Sequence, residues 1–246
     1  MLGKITLNYS PNFSTNKRNK KNIKLLIFHY TGMKNENKAI SRLTDVNSKV
    51  SSHYFIKKNG QTILLVPELY VAWHAGKSYW KKQKSLNKSS IGIEIQNTGH
   101  QFGYHEFTNS QIKSLVKLSI YLIKKYKINN KNILGHSDVA HDRKKDPGEK
   151  FPWQFLAKKK IGIWHNLEKI KLRKNRNLKI TILEKKEFLN CLKKIGYFVR
   201  QISLKQKKKL ITAFQRRFRP ELINGKIDRE CLIIAQKVSK LYNYFS

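Results

Sequence analysis

The sequence predicts an α/β fold, a mixed central β-sheet flanked by helices, followed by a small three-helix domain. Short apolar runs that suit buried strands alternate with amphipathic helical patterns over most of the chain. The hydrophobic fraction of 39% in 246 residues is enough for a substantial core without disulfides. After residue 164 the strand patterns stop, a charged stretch follows, and only helical periodicity remains.

The first half of the chain carries most of the strand signals. Residues 1–22 are polar, so we expect an irregular extension or a short edge strand. The apolar run "IKLLIFHY" predicts a buried strand, and a helix is expected at residues 35–47. Residues 51–67 should form a hairpin, because Asn59-Gly60 is the preferred pair of a type I′ turn. In "SIGIEIQN" the isoleucines share one strand face and Glu94 lies on the other.

The second half carries the helix signals. A Thr108…Gln111 capping box should open a helix whose apolar stripe runs to Tyr126. The segment "NILGH" reads as a short strand that ends at His136. Three helices should follow: the first is capped by Thr181…Glu184 and ends at Gly196, the second stops before Pro220, and the third is capped by Asp228.

Composition limits the function classes. The formal net charge of +37 indicates an anionic partner, such as nucleic acid or an acidic polymer, or else a lysine-rich bias of an AT-rich genome. Cys191 and Cys231 fall on apolar helix faces, which favours a buried reduced pair over a single disulfide. No apolar run approaches the roughly 20 residues of a membrane span, and no signal peptide is visible at the amino terminus.

Two histidines and an aspartate suggest a metal site. His29 and His136 each end a predicted buried strand, so they meet if both strands reach the same sheet edge. Asp146 follows ten positions after His136, before a Pro-Gly turn that can fold it back. Two histidines and one carboxylate form the ligand set of a catalytic zinc site. Glu94 would serve as general base and Lys144 would stabilise an oxyanion, although spacing alone also allows an ordinary His/Asp-rich loop.

Longer motifs carry a family resemblance. The segments "LLIFHYTG", "VSSHYFI", "LVPELYVAWHAG", "SSIGIEIQN" and "GHSDVAHDRKKDPGEKFPW" resemble the type 2 N-acetylmuramoyl-L-alanine amidases. This zinc family is related to T7 lysozyme and the peptidoglycan recognition proteins, and the similarity covers residues 24–164. The segments "CLKKIGY" and "AFQRRFRPELINGKIDRE" resemble the three-helix peptidoglycan-binding domain of the outer-membrane-anchored bacterial amidases.

The resemblance implies a reaction and a role for each matching residue. One zinc ion per chain would be bound by His29, His136 and Asp146, with Glu94 as catalytic acid/base. The enzyme would hydrolyse the amide between N-acetylmuramic acid and L-alanine in peptidoglycan or muropeptides, with Lys144 assisting at the carbonyl. Two residues could contact substrate: Tyr30 and His74, each of which could equally serve packing.

The resemblance also implies a domain organisation. It divides the chain into an extension (1–22), a zinc amidase domain (23–165), a linker (166–178) and a helical peptidoglycan-binding-like domain (179–246). We expect a monomer in the bacterial cell envelope, although the missing lipoprotein signal leaves the cytoplasm open. Two other functions stay open: a non-catalytic peptidoglycan-binding protein, which predicts loss of a ligand or of Glu94, and a nucleic-acid-binding protein, which predicts a clustered basic stripe that the sequence lacks.

The remaining histidines have simpler interpretations. His53 lies within a strand pattern and should be a buried, hydrogen-bonded core residue. His141, where the family commonly has proline, should be a solvated loop residue, although it could also bind the metal. His100, His105 and His165 lie in polar segments and should be solvated. Asp138, close to His136, should orient its loop by hydrogen bonding rather than bind metal.

Overall fold

The computed structural model, which describes residues 4–199 and 203–243, contains a mixed β-sheet with helices on both sides and a helical carboxyl-terminal part. The strands are β1 (Ile5–Leu7), β2 (Phe13–Ser14), β3 (Leu25–Tyr30), β4 (Tyr54–Ile56), β5 (Thr62–Leu64), β6 (Val71–Ala72), β7 (Tyr79–Trp80), β8 (Gln83–Lys84), β9 (Ser90–Ile95) and β10 (Ile133–Gly135). The α-helices are α1 (Glu36–Thr44), α2 (Asn109–Tyr126), α3 (His136–Val139), α4 (Trp153–Lys158), α5 (Lys169–Lys174), α6 (Ile182–Ile195), α7 (Leu204–Phe218) and α8 (Arg229–Asn243).

Strand order brings the ends of the central strands to one edge. The six-stranded sheet has the order β1-β5-β4-β9-β3-β10. Strands β4 and β5 are antiparallel, whereas β4, β9, β3 and β10 are all parallel to their neighbours in that series. The register places His29 beside Glu94 and Phe28 beside Gly135. The residue after β10, His136, therefore starts next to His29, as the sequence predicts.

Different helices pack against the two faces of the sheet. Ile91, Ile93 and Ile95 of β9 share one apolar cluster with the leucines of α2: Leu115, Leu118 and Leu122. These leucines are fully buried, and each contributes about 1.5–3 kcal/mol relative to an exposed side chain. A second cluster joins Ala39 and Leu43 of α1 to Phe55, Ile63 and Leu65. Helices on both faces of a mixed sheet confirm the predicted fold class.

The helical module, defined here as α6, α7, α8 and their connecting loops, shares a core with the sheet. Its buried residues Phe188, Phe214 and Val238 belong to the same apolar cluster as the β9 isoleucines. The Trp80 and Tyr197 rings meet across the junction with centroids 5.2 Å apart. Helix α5 lies within the predicted linker, and the domain boundaries stay a prediction. Among the described residues, no helix is long and apolar enough to span a membrane.

Most helix ends follow the predicted signals. Thr108 and Gln111 form a reciprocal capping box at α2, and Thr181 and Glu184 form another at α6. Helix α6 ends at Gly196, whose φ of 133° is open mainly to glycine. Helix α7 ends at Phe218, before Pro220, and Asp228 Oδ1 accepts a hydrogen bond from Cys231 N at the start of α8. Both cysteines are buried and free, as predicted.

The hairpin forms, but the predicted type I′ turn is wrong. A type I′ turn needs positive φ at both central residues, whereas Gly60 has φ 88° and Asn59 does not have positive φ. Gly60 N donates to Lys57 O at 2.9 Å and Lys57 N donates to Gln61 O at 2.9 Å, which closes a longer loop. A Cβ at Gly60 would lie 2.7 Å from Ser110 O, so the first turn of α2 packs on this loop.

Candidate metal centre

Three predicted ligands meet at the carboxyl edge of the sheet. His29 Nδ1 lies 2.9 Å from His136 Nδ1 and 3.1 Å from Asp146 Oδ2, and His136 Nδ1 lies 3.0 Å from the same carboxylate oxygen. Each residue is at most 5% exposed. His29 is the penultimate residue of β3, His136 begins α3 and Asp146 lies in the following loop. Parallel strands thus bring together residues far apart in sequence.

A chain of hydrogen bonds determines which nitrogen of His29 is free. Ser90 Oγ donates to Leu86 O at 2.7 Å, because a carbonyl only accepts. Ser90 Oγ is then available to accept from His74 Nε2 at 3.2 Å, which leaves His74 Nδ1 as an acceptor. His74 Nδ1 lies 3.1 Å from His29 Nε2, so His29 Nε2 carries the proton. The His29 Nδ1 lone pair consequently points into the cluster.

His136 presents the same ring nitrogen to the cluster. Its Nε2 lies 3.2 Å from Ala75 O and 3.4 Å from Arg143 Nη2, and the shorter contacts of Arg143 Nη2 are with Ala75 O and Lys77 O. The neutral tautomer in which Nε2 donates to Ala75 O leaves Nδ1 unprotonated. In these tautomers two imidazole lone pairs and a carboxylate oxygen converge, and this donor set suits a divalent cation. A tetrahedral zinc ion with bonds of about 2.0–2.1 Å holds its ligand atoms about 3.3 Å apart, close to the separations observed. The donor set fits zinc.

Burial and charge control the ionisation of these groups. Burial lowers the pKa of His29 to about 4, assisted by the neighbouring His136, so the imidazole is neutral at pH 7. Burial alone would raise the pKa of Asp146, but contacts with His136 and His29 outweigh it and hold the pKa well below its usual range. His29 and Asp146 are thus in the protonation states that metal binding needs.

Glu94 and Lys144 adjoin the cluster. Glu94 is the register partner of His29, and its Oε2 is buried without a hydrogen-bond partner in the described structure. Burial raises the pKa of Glu94 to about 8, Asp146 adds to the shift, and Lys144 opposes it. A carboxyl group with a perturbed pKa beside a metal site is typical of a general acid/base.

A cavity of about 690 Å³ opens over the cluster and is lined by all five of these residues. Four basic residues also line it or its rim: Arg42, Arg143, Lys144 and Lys145. Tyr30 forms part of the wall, and its hydroxyl is held 2.9 Å from His100 Nδ1. The cavity is large enough for a small ligand, and its basic lining suits an acidic one.

His74 and Tyr30 occupy different positions relative to the cluster. His74 is 8% exposed and lies behind His29, whose tautomer it sets. This outer hydrogen-bond partner could have been inferred only from the folded chain. Both residues also line the cavity, so substrate contact stays a prediction for each.

Several other histidines differ from expectation. His53 is fully buried and lies 2.9 Å from Arg18 Nη2, which confirms it as a core residue. The solvated positions predicted for His141 and His165 are wrong, because their Nε2 atoms donate to Phe198 O and Phe218 O and both side chains are buried.

The remaining two histidines are less buried. His100 is held between the Tyr30 hydroxyl and Glu149, so it is not simply solvated. His105 is only partly buried, in agreement with the prediction.

Sequence reasoning missed residues of the helical module that reach the loops around the site. Arg216 Nε lies 3.3 Å from Glu149 Oε2, and that carboxylate in turn binds His100 Nε2 at 2.9 Å. Arg217 and Tyr197 both bind Asp138, and Asp138 also accepts from Gly135 N, which confirms that it hydrogen-bonds within its loop. The arginines lie in a basic helical sequence, and no local pattern distinguishes them from solvated lysines nearby.

Comparison with known proteins gives consistent matches. The N-acetylmuramoyl-L-alanine amidase family matches residues 19–149. The N-acetylmuramoyl-L-alanine amidase AmiD of Escherichia coli (strain K12) is 36% identical over 233 residues, which cover 89% of this chain and 83% of the relative.

Solved structures give the same result. AmiD from E. coli, in complex with the substrate anhydro-N-acetylmuramic acid-L-Ala-D-gamma-Glu-L-Lys, has a TM-score of 0.79 and 33% identity, covering 93% of this chain and 92% of that one. AmpDh3 from Pseudomonas aeruginosa has a TM-score of 0.79 and 29% identity, covering 95% and 97%. The similarity therefore extends over the sheet and the helical module together.

Proposed function

Since this chain belongs to the N-acetylmuramoyl-L-alanine amidase family, we infer that it hydrolyses the amide bond between N-acetylmuramic acid and L-alanine in peptidoglycan fragments. We propose that it does so with one zinc ion held by His29, His136 and Asp146. The observation that carries this proposal is the convergence of two imidazole lone pairs and a carboxylate in one buried cluster. Three protein ligands leave a fourth position for water, as catalytic zinc sites do.

The remaining site residues act on the proton and on the developing charge. When bound, zinc lowers the pKa of a water molecule to about 7 and favours the ionised form of nearby carboxyl groups. Glu94 takes the proton of the attacking water and delivers it to the leaving amide nitrogen. The positive charge of the Lys144 ammonium stabilises the negative oxygen of the tetrahedral intermediate. The same charge already favours the ionised form of Glu94, because it lowers the pKa of that carboxyl group. The products are a free lactyl carboxylate and a peptide with a new amino terminus.

The cavity supports an acidic muropeptide as substrate. The substrate bound to E. coli AmiD contains a γ-linked glutamate, and a free carboxylate on such a peptide would meet the basic lining formed by Arg42, Arg143 and Lys145. Arginine binds carboxylates with two parallel hydrogen bonds, which would orient the peptide. The monomeric state and the cell envelope as the place of action stay predictions.

The test is metal-dependent hydrolysis of a defined muropeptide. Purified protein would be stripped of metal with a chelator and incubated with anhydro-N-acetylmuramyl tripeptide, and release of peptide amino groups would be measured. We expect hydrolysis to stop in the metal-free protein and to return with one equivalent of zinc. Intact sacculi, used in parallel, decide between wall remodelling and turnover of soluble fragments.

Two results would contradict the proposal. Full hydrolysis by protein shown to contain no metal would exclude the zinc mechanism. Zinc binding without release of peptide from either substrate would favour a non-catalytic peptidoglycan-binding protein instead.

A further inference from the structure

We propose that Arg217 and Tyr197 of the helical module are positioning residues for the metal ligand His136, and that they act through Asp138. The inference rests on the proposed zinc site and adds to it a role for the helical module. Both residues lie beyond the matched family region of residues 19–149. The module would then hold part of the metal centre in place.

Asp138 connects the module to the turn that carries His136. Its Oδ2 accepts a hydrogen bond from Gly135 N at 2.8 Å, which satisfies the amide that precedes α3. The same oxygen accepts from Arg217 Nη1 at 2.7 Å, and Oδ1 accepts from the Tyr197 hydroxyl at 2.7 Å. One carboxylate thus joins the start of α3 to two side chains of the helical module.

The Arg217 guanidinium spans the turn between β10 and α3. Besides binding Asp138, its Nη2 donates to Ile133 O at 3.1 Å, at the start of β10. Its plane lies over the Trp153 ring at 3.5 Å from the ring centroid. Arg217 is 3% exposed and Asp138 is 1% exposed, so this is a buried ion pair shielded from water.

These hydrogen bonds determine the position of the His136 backbone at the start of α3. His136 is the first residue of α3, directly after Gly135, and its ring is fixed at the far end by Ala75 O. If Arg217 is removed, the Asp138 carboxylate stays buried without its cation, a costly state that favours water entry or rotation of the side chain. Either change releases Gly135 N and with it the backbone that aims His136 at His29 and Asp146. Partners of this outer kind orient metal ligands and tune metal affinity.

If Arg217 only stabilised the helical module, its loss would affect folding but not zinc affinity in particular. Arg219 provides the matched control for this alternative. Arg219 lies two residues further on, is 1% exposed and pairs with Asp228 at 2.6 Å and Glu230 at 3.2 Å. These partners belong to the helical module and lie outside the metal cluster. Arg219→Met therefore breaks an equally buried ion pair of the same module without touching the His136 turn. Tyr242→Phe, which removes a hydroxyl hydrogen bond to Lys131 O, is the matched control for Tyr197→Phe.

The experiment measures zinc affinity by competition with a chromophoric chelator, together with the visible spectrum of the cobalt-substituted protein. We expect Arg217→Met to weaken zinc binding by about 10–100-fold, the usual effect of losing an outer partner. Tyr197→Phe should weaken it by roughly five-fold, as expected for one hydrogen bond. Both should change the cobalt spectrum, whereas Arg219→Met and Tyr242→Phe should match wild type in affinity and spectrum.

The outcomes separate this inference from the proposed function. Wild-type protein that binds no zinc overturns the proposed zinc site, and the inference with it. Wild-type protein that binds zinc, with Arg217→Met and Tyr197→Phe equal to their controls, overturns the inference alone. If Arg217→Met does not fold, the comparison of Tyr197→Phe with Tyr242→Phe decides in the same way.

Discussion

The tautomer of a single imidazole decides whether this cluster can bind a metal. His29 presents Nδ1 to the site because its Nε2–H donates to His74 Nδ1, and His74 Nδ1 can accept because the His74 Nε2–H donates to Ser90 Oγ. Each hydrogen bond of this series fixes the tautomer of the next ring, so the orientation of the His29 lone pair does not depend on a bound metal. The ligands are therefore preorganised, which reduces the ordering cost of metal binding.

At the residue scale, substitution of Glu94 distinguishes proton transfer from metal binding. It is outside the cluster proposed to hold the metal, so Glu94→Gln should bind zinc as tightly as wild type. A glutamine cannot shuttle a proton, and we expect kcat to fall by about 10²–10⁴-fold. Zinc content and muropeptide hydrolysis would be measured on the same sample. Full activity of the variant would show that another group is the base.

The candidate ligands can be predicted from the sequence, but their hydrogen-bond partners cannot. His29, His136 and Asp146 could be named because they follow apolar strands or lie in a long motif. The role of His74 could not, because its two partners come from positions that only the fold brings together. Burial of His141 and His165 was missed for a similar reason, since both donate to carbonyls of the helical module.

At the element scale, a glycine in strand β9 provides the space that the His74 ring occupies next to His29. Gly92 lies between Ile91 and Ile93, and a Cβ there would stand 2.5 Å from Cγ of His74. Only glycine allows the His74 ring to lie against the strand and reach His29. The composition of this strand is therefore set on one face by the apolar core and on the other by the metal centre.

Gly92→Ala should consequently damage the site from a distance. The added methyl group displaces His74 and breaks its hydrogen bond to His29, so we expect zinc affinity to fall by about ten-fold or more. Overpacking should also lower the stability of the metal-free protein by about 1–3 kcal/mol. Gly103→Ala is the control for zinc affinity alone, because nothing lies within 4 Å of a Cβ there, whereas its φ of 78° strains any side chain and lowers stability by itself. Unchanged zinc affinity in a folded Gly92→Ala protein would contradict this account.

Elements with strong local signals were predicted well, and those shaped by packing were not. The caps of α2 and α6 follow directly from Thr108…Gln111 and Thr181…Glu184, because capping is a local interaction. The turn at Asn59-Gly60 differs from expectation because its loop packs against the first turn of α2. Strand order and the parallel register that pairs His29 with Glu94 likewise have no local signature.

At the scale of the whole molecule, the sheet and the helical module depend on each other. One apolar cluster extends through both, and polar contacts of Arg216, Arg217 and His165 cross the junction. His165 is 3% exposed; its Nε2 donates to Phe218 O and its Nδ1 accepts from Leu167 N. A neutral imidazole therefore lies where the two parts meet.

Acid should weaken this junction. Burial lowers the pKa of His165 to about 4, although the Phe218 carbonyl opposes the shift. Above pH of about 6.5 the imidazole is neutral in both folded and unfolded chains, and its contribution to stability is complete. As the pH falls from 6.5 towards 4, the unfolded chain gains a proton that the folded chain does not. Stability should then fall by up to about 3 kcal/mol.

Urea denaturation of metal-free protein at pH 7.5 and pH 5 measures this effect. His165→Gln can keep both hydrogen bonds but cannot titrate, so its free energy of unfolding should fall less between the two pH values than that of wild type. His105→Gln, at a partly exposed position, should behave as wild type. An equal loss in wild type and His165→Gln would show that other groups cause the acid sensitivity.

The ion pair between Arg217 and Asp138 also bears on how such enzymes can be recombined. A chimaera that joins the sheet of this chain to the helices of a relative would place a foreign side chain opposite Asp138. Unless the new partner supplies a cation at that point, the graft would bury an unmatched carboxylate two residues from His136. Exchange of the two halves is therefore constrained by this charge as well as by the shared apolar core, and a compatible donor needs a cation at that position.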